Sequence, residues 1–314
     1  MVYYAHSFIT ESRRETYMAT SKSGSSTKKP TAKKSTKSSA TKVTTVTTVK
    51  ESSKVPFFKK ANDEPRYAAI ILAEIIGTFI LTLIATLTLQ QVAPLYVGLT
   101  VTVLVLALGA VSGSHVNPAV TFGLWSVRKL ETKLVPVYWI AQFVGAILAV
   151  LIIGAFGKGY GLDFSNFGTI NWGILGAEAV GAAIFLFGLV AVISNTALSQ
   201  LAKAFGIGLS LTIGLLASSS LYTALQGGAD TSKANVSDIK TVPREYLVKG
   251  TVLNPAVALA VTENTPSQLS GYSATKTESK YSRLGLEVIL GTLIGAALGA
   301  NLYLLVAYAN RKES

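Results

Sequence analysis

Cysteine is absent from this 314-residue chain, which excludes disulfides and thiolate metal sites and leaves the redox compartment unread. Histidine is almost as scarce. His6 and His115 are the only two, too few for a histidine-rich metal cluster, so neither metal nor cofactor is expected. Charge is scarce as well: 14% of residues are Asp, Glu, Lys or Arg, where a soluble domain carries about a quarter. No nucleophile stands with a base beside it, so no enzyme activity is expected. The first twenty residues contain no apolar core of the length a secretory leader needs.

The positive charge that is present sits mostly at one end. Met1 to Arg66 hold 14 Lys and Arg against 5 Asp and Glu, a net of +9. This stretch is rich in Ser, Thr and Lys and buries too little apolar surface to offset ordering entropy. Residues 1–65 therefore read as a disordered basic tail. Two roles stand open for it: a solvated cytoplasmic segment, or an electrostatic anchor on anionic lipid. Nucleic-acid binding has no aromatic interleaving to support it. Translation starts at Met1 or at Met18, which opens "MATSKSG".

Beyond the tail the chain is long apolar stretches joined by short polar links. Six reach the roughly 20 residues needed to cross a bilayer, at 67–90, 95–114, 136–156, 173–194, 203–222 and 284–308. Two more, starting at Asn117 and Asn254, run only about ten residues and read as re-entrant half-helices. Basic residues in short links set the orientation. Arg128, Lys129, Lys133, Lys203, Arg311 and Lys312 fall on the side of the tail, so both termini are expected in the cytoplasm.

The halves repeat. "AEIIGTFI" at 73–80 matches "AEAVGAAI" at 177–184, and "GLTVTVL" from Gly98 matches "GLSLTIG" from Gly208. "VNPAV" at 116–120 matches "LNPAV" at 253–257, and "FVGAILA" at 143–149 matches "LIGAALG" at 293–299. Three spans per half is odd, so the second copy is inverted. The expected domain is 66–310, with repeat one at 66–157 and repeat two at 172–310. The offset between matched residues grows from 110 at the Gly98 pair to 137 at the Asn pair and 150 at the Gly145 pair. The second half thus carries insertions around 223–250 and 263–283, both expected on the outer side. Asn235-Val236-Ser237 there is a glycosylation sequon.

Asn117-Pro118-Ala119 and Asn254-Pro255-Ala256 are helix starts. Asn is a good N-cap, Pro suits the first helical position, and Ala is small enough for two turns to touch. Tip to tip, the two half-helices would aim the Asn amides into a pore, each donating to a passing water oxygen. Their positive ends would repel cations. One such tripeptide is an ordinary capped helix; two in symmetric halves are specific.

With "SGSHVNPAVTFG" at 112–123 and glutamates on the first and fourth spans, the chain resembles the aquaporin, or major intrinsic protein, family over residues 67–308. The resemblance implies an all-α membrane fold of six transmembrane helices plus two re-entrant half-helices. It also implies a homotetramer in the lipid bilayer with one pore per subunit, passing water or small neutral solutes. Glu74 and Glu178 match the family's glutamates and are expected to accept backbone N–H groups of the pore loops; they are the only buried carboxylates expected. The alternative is two glutamates at helix entrances. His115 is a structural loop residue or a pH sensor.

The chain departs from the family at the constriction. The family's second motif continues with Arg, which here is Val257, and the glycerol channels' following Asp is Ala258. The other constriction positions fall on Val97, Leu215 and Thr251, giving a wide apolar filter. Lys240, Arg244 and Lys249 of the first insertion are candidates to replace the missing charge. Otherwise both insertions are mobile loops. The competing functions are a poorly conducting structural membrane protein of the same fold and a secondary transporter. A transporter would normally carry an ionisable group at a midplane site.

Overall fold

The computed structural model describes residues 66–88, 90–156, 162–235, 239–270 and 280–313. The expectations for the 1–65 tail, and for Val236 and Ser237 of the sequon, lie outside the described residues.

Six helices are long and apolar enough to cross a membrane. They are α1 (Tyr67–Leu87), α2 (Ala93–Ser112), α4 (Val135–Phe156), α5 (Trp172–Ser194), α6 (Gln200–Gly228) and α10 (Leu286–Glu313). Helix is the spanning form because lipid offers a backbone no partner outside its own segment. The ends follow local chemistry. Asn171 caps α5 by accepting from Ile174 N, and Ser199 caps α6 by accepting from Ala202 N. Gly113 ends α2 in the left-handed conformation, its N–H on Gly109 O.

The packing carries the repeat. In the first half α1 packs on α2 and α4; in the second, α5 packs on α6 and α10. The half-helices α3 (Pro118–Ser126) and α8 (Pro255–Ala260) are exchanged between halves: α3 lies against α10, and α8 against α4. Each half-helix therefore rests on the third span of the opposite repeat, and their tips meet.

Small residues allow this closeness. α2 and α6 cross at Gly98 and Gly208, the matched pair of the repeat. A Cβ on Gly98 would lie 2.7 Å from Gly208 O, and one on Gly208 would lie 2.4 Å from Gly98 O. Gly145 presses on α1 in the same way, and Gly295 and Gly299 on α5. Leu124, Leu186, Leu189, Leu211 and Val257 belong to one buried cluster, while Leu72, Ile140, Leu151 and Leu305 face outward, as a lipid-facing surface requires.

Boundaries differ from the sequence expectation: α1 stops at Leu87 rather than 90, α10 runs to Glu313 rather than 308, and two further differences bear on the site. α6 runs to Gly228 rather than ending near 222. The second half-helix has six residues, not ten, because the chain beyond Ala260 turns extended and pairs with the second insertion. Arg283 N donates to Val261 O at 2.8 Å, Glu263 N to Tyr281 O at 2.9 Å, and Thr262 bridges Ser282.

The described parts of the insertions are folded. The first holds α7 (Arg244–Leu247); the second holds α9 (Pro266–Ser270) and β2 (Lys280–Tyr281). β2 pairs in parallel with β1 (Leu162–Asp163), in the link between the repeats. The reading of both insertions as mobile loops does not hold for these residues.

Candidate functional site

The two Asn residues build the meeting point of the half-helices. Both have extended backbones, and each side-chain oxygen caps its own helix. Asn117 Oδ1 accepts from Ala119 N at 2.8 Å, and Asn254 Oδ1 accepts from Ala256 N at 3.0 Å and Val257 N at 3.3 Å. Each amide nitrogen then reaches across the repeat. Asn117 Nδ2 donates to Leu253 O at 2.8 Å, and Asn254 Nδ2 donates to Val116 O at 2.9 Å. An amide NH2 has two hydrogens. One is spent on this tie, leaving one for the cavity that both residues line. The tie was not legible in sequence.

The residue before each Asn is strained. Val116 has φ 44° and Leu253 has φ 55°, in the left-handed region that branched side chains rarely adopt. Such positions persist only where neighbours over-determine them, at about 1–3 kcal/mol each. Here each strained residue is held at both ends: its carbonyl by the opposite Asn, its N–H by a glutamate.

Those glutamates are Glu74 and Glu178, fully buried on the first span of each repeat. Glu74 Oε2 accepts from Val116 N at 2.7 Å and Gln142 Nε2 at 2.9 Å; Oε1 accepts from His115 N at 2.9 Å and Ser112 Oγ at 2.6 Å. Glu178 accepts from Leu253 N at 2.9 Å and Val252 N at 3.1 Å. Both carboxylates thus bond the backbone of the loop that leads into each half-helix. His115 adds its ring, stacked on Tyr138 with centroids 4.3 Å apart and with Nδ1 3.1 Å from Thr121 Oγ1. Tyr138 in turn donates its hydroxyl to Ser112 O.

The two supports are not equivalent. The side chains that donate to Glu74 are neutral. Glu178 joins an ion network. Arg283 lies 3.4 Å from Glu178 and 2.6 Å from Glu287, and Arg244 lies 2.7 Å from Glu287 and 2.6 Å from Glu263. Arg283 and Glu263 are 1% exposed and Glu287 0%. This corrects the expectation that Glu74 and Glu178 are the only buried carboxylates. Burial alone would lower the pKa of Arg244, but Glu263 and then Glu287 outweigh it and hold the guanidinium above its ordinary value. Asn166 Nδ2 donates to Glu263 at 2.9 Å, and Asn171 N to Glu287 at 3.1 Å. The network was missed because its members are far apart in sequence. One signal existed: at the repeat offset of 150, Glu287 corresponds to Val137, so the second half carries an ionisable residue where the first has none.

A cavity of about 550 Å³ runs past these groups. It is lined by Asn117, Asn254 and His115, and by all four expected constriction residues, Val97, Leu215, Thr251 and Val257. Val257 and Leu215 are buried in the apolar cluster, and Thr251 Oγ1 lies 2.6 Å from Ser218 Oγ. Of the three cations suggested for the missing charge, Arg244 belongs to the ion network and Lys240 lines a separate cleft with Ser165 and Asn166. Lys249 lines the cavity. Burial, and secondarily Lys280, push its pKa below the usual lysine value. Among the described residues no group of three or more His, Cys, Asp or Glu is arranged to hold a metal ion.

Two half-helices exchanged between inverted repeats, capped and tied at their tips by paired asparagines, define a class of integral multi-pass membrane protein. The sequence matches the model of the major intrinsic protein family over residues 61–229, more than half its length, and the chain belongs to that family. The match stops before Asn254. Glycerol uptake facilitator protein-like 6 of Lactiplantibacillus plantarum is 33% identical over 136 residues, which cover 40% of this chain and 63% of that protein. Aquaporin AqpM of Methanothermobacter marburgensis is 43% identical over 82 residues, covering 26% of this chain and 30% of that one. Both alignments span less than two thirds of the relative. The solved aquaglyceroporin of Plasmodium falciparum shares the fold at TM-score 0.50 and 20% identity, covering 79% of this chain and all of that one.

Proposed function

We propose that residues 66–310 form a passive channel for water and small neutral solutes, with one pore per subunit of a homotetramer and both termini in the cytoplasm. The observation that carries this reading is the pair Asn117 and Asn254 on the wall of one cavity, each with an amide hydrogen left after its structural bonds. Such a pair gives a passing hydroxyl or water oxygen two donors while the half-helix ends oppose cations. Relatives named as a glycerol facilitator and as aquaporins agree with it. Against a transporter, the carboxylates found beyond Glu74 and Glu178 sit in the ion network, and no Asp or Glu lines the cavity among the described residues; ionisable groups that do line it are Lys249 and His115, whose ring is stacked on Tyr138.

The filter reading is part of the proposal. Val97, Leu215, Thr251 and Val257 give an apolar constriction wide enough for solutes larger than water. Proteoliposome swelling tests it. Wild type is expected to pass water, glycerol and urea without saturation, and Val257→Arg to cut glycerol and urea flux on the order of tenfold, the effect of about 1.4 kcal/mol on a barrier. Wild type passing water alone, with Val257→Arg leaving the larger solutes unchanged, removes the wide filter. Absent or saturating flux removes the channel.

Without cysteine the chain offers mercurials no thiolate. Flux is expected to be insensitive to low mercurial concentrations in the same assay. A rapid block reversed by a thiol reductant would contradict it.

A further inference from the structure

The described lining of the cavity holds one Lys or Arg, and it is Lys249. It lies five residues before Asn254, next to Gly250 and Thr251, which line the cavity as well. Its backbone is fixed on both sides. Val248 is fully buried, its carbonyl accepting the Tyr222 hydroxyl, and Val252 N donates to Glu178. The side chain spans the two arms of the second pore loop: Nζ donates to Thr262 Oγ1 at 3.3 Å, beyond the C-terminus of α8. Thr262 also lines the cavity and is itself held by its bridge to Ser282. No ion pair among the described residues involves Lys249, whereas Arg244 and Arg283 are each paired with two carboxylates.

We propose that Lys249 is the charge that excludes cations from the mouth of the cavity. The inference rests on the channel reading above. The half-helix ends carry only partial charges, and Val257 places none at the constriction. A full positive charge on the lining adds a repulsion that a passing cation meets before it reaches the Asn pair, while a neutral solute meets none. The folded insertions thus have a use: they carry a lysine to the pore and hold the loop that presents it.

Guanidinium and urea make a suitable pair of probes, planar and alike in size but different in charge. Guanidinium is also weakly hydrated, so it sheds water readily at an apolar constriction. The full chain, wild type and Lys249→Arg, Lys249→Gln and Lys249→Glu, is reconstituted in proteoliposomes. Urea permeability is read from swelling and guanidinium permeability from tracer uptake, with internal potassium and valinomycin carrying the counter-charge, at low and high salt. Urea flux is expected to be alike in all four. The guanidinium-to-urea ratio is expected to rise about threefold in Lys249→Gln and about tenfold in Lys249→Glu, from one unit charge about 6 Å away in water and its reversal. Lys249→Arg is expected to match wild type, and high salt to shrink the differences. A ratio unchanged across the series overturns the proposal, as does an equal rise in Lys249→Arg, which would mark a packing role. Wild type passing neither water nor urea instead overturns the channel reading, and this inference with it.

Discussion

Replacing Arg283 by leucine is expected to cost about 3–5 kcal/mol, the usual loss when one partner is taken from a buried ion pair. Against the roughly 5–15 kcal/mol that holds a typical fold, that is enough to disorder the insertions and the loop before α8 that the network ties together. Arg283 uses two nitrogens on two carboxylates, 3.4 Å to Glu178 and 2.6 Å to Glu287. Its removal leaves Glu178 with backbone donors only and Glu287 with Arg244 and Asn171. Glu178 also holds strained Leu253, so the damage reaches the pore loop directly. Arg283→Lys keeps the charge but replaces the planar fork with a point donor, and should fall between wild type and Arg283→Leu. Thermal unfolding in detergent and solute flux measure both effects. A midpoint and flux for Arg283→Leu equal to wild type would show that the network does not support the loop.

The asymmetry of the two glutamates shows what sequence reasoning reached and where it stopped. Glu74 and Glu178 were legible because the repeat places them at equivalent positions and a carboxylate on a spanning helix demands partners. The partners themselves were not. Ser112 lies 38 residues from Glu74 and Gln142 lies 68, and Arg283 is 105 from Glu178. Such pairings belong to packing, which a single sequence does not print.

Boundaries failed for the same reason. An apolar run ends near 222, but α6 continues as Gln226 Nε2 donates to the carbonyl of Glu245 in the first insertion and Gln226 O accepts from the Tyr246 hydroxyl. The second half-helix ends at Ala260 although Val261 is apolar, because Val261 O is taken by Arg283 N. The four residues expected at the constriction, placed by counting from the Asn residues and from "IGLS", line one cavity. The ion network had no counterpart to count from.

The asparagines offer the second large effect, expected at about 1.5–5 kcal/mol for Asn254→Ala. The cap on α8 accounts for about 0.5–2 kcal/mol. The rest is the Val116 carbonyl, left buried without its donor at about 1–3 kcal/mol. The loss falls on a residue at φ 44°, a conformation that the two-ended hold of Glu74 and Asn254 maintains. Asn117→Ala should behave alike through Leu253 O. The ties cross between the same two loop tips, so the double variant should be non-additive, with a coupling of about 0.5–3 kcal/mol. Asn254→Asp separates the two functions: it keeps an oxygen to cap Ala256 N and has no amide hydrogen for Val116 O. It should therefore retain α8 but lose the tie and the pore donor together. Unfolding midpoints for the single, double and Asp variants, with urea flux at equal reconstituted protein, decide the matter. Additive losses with full flux in both single variants would mean that the asparagines only cap their own helices, and that the two repeats meet without holding one another.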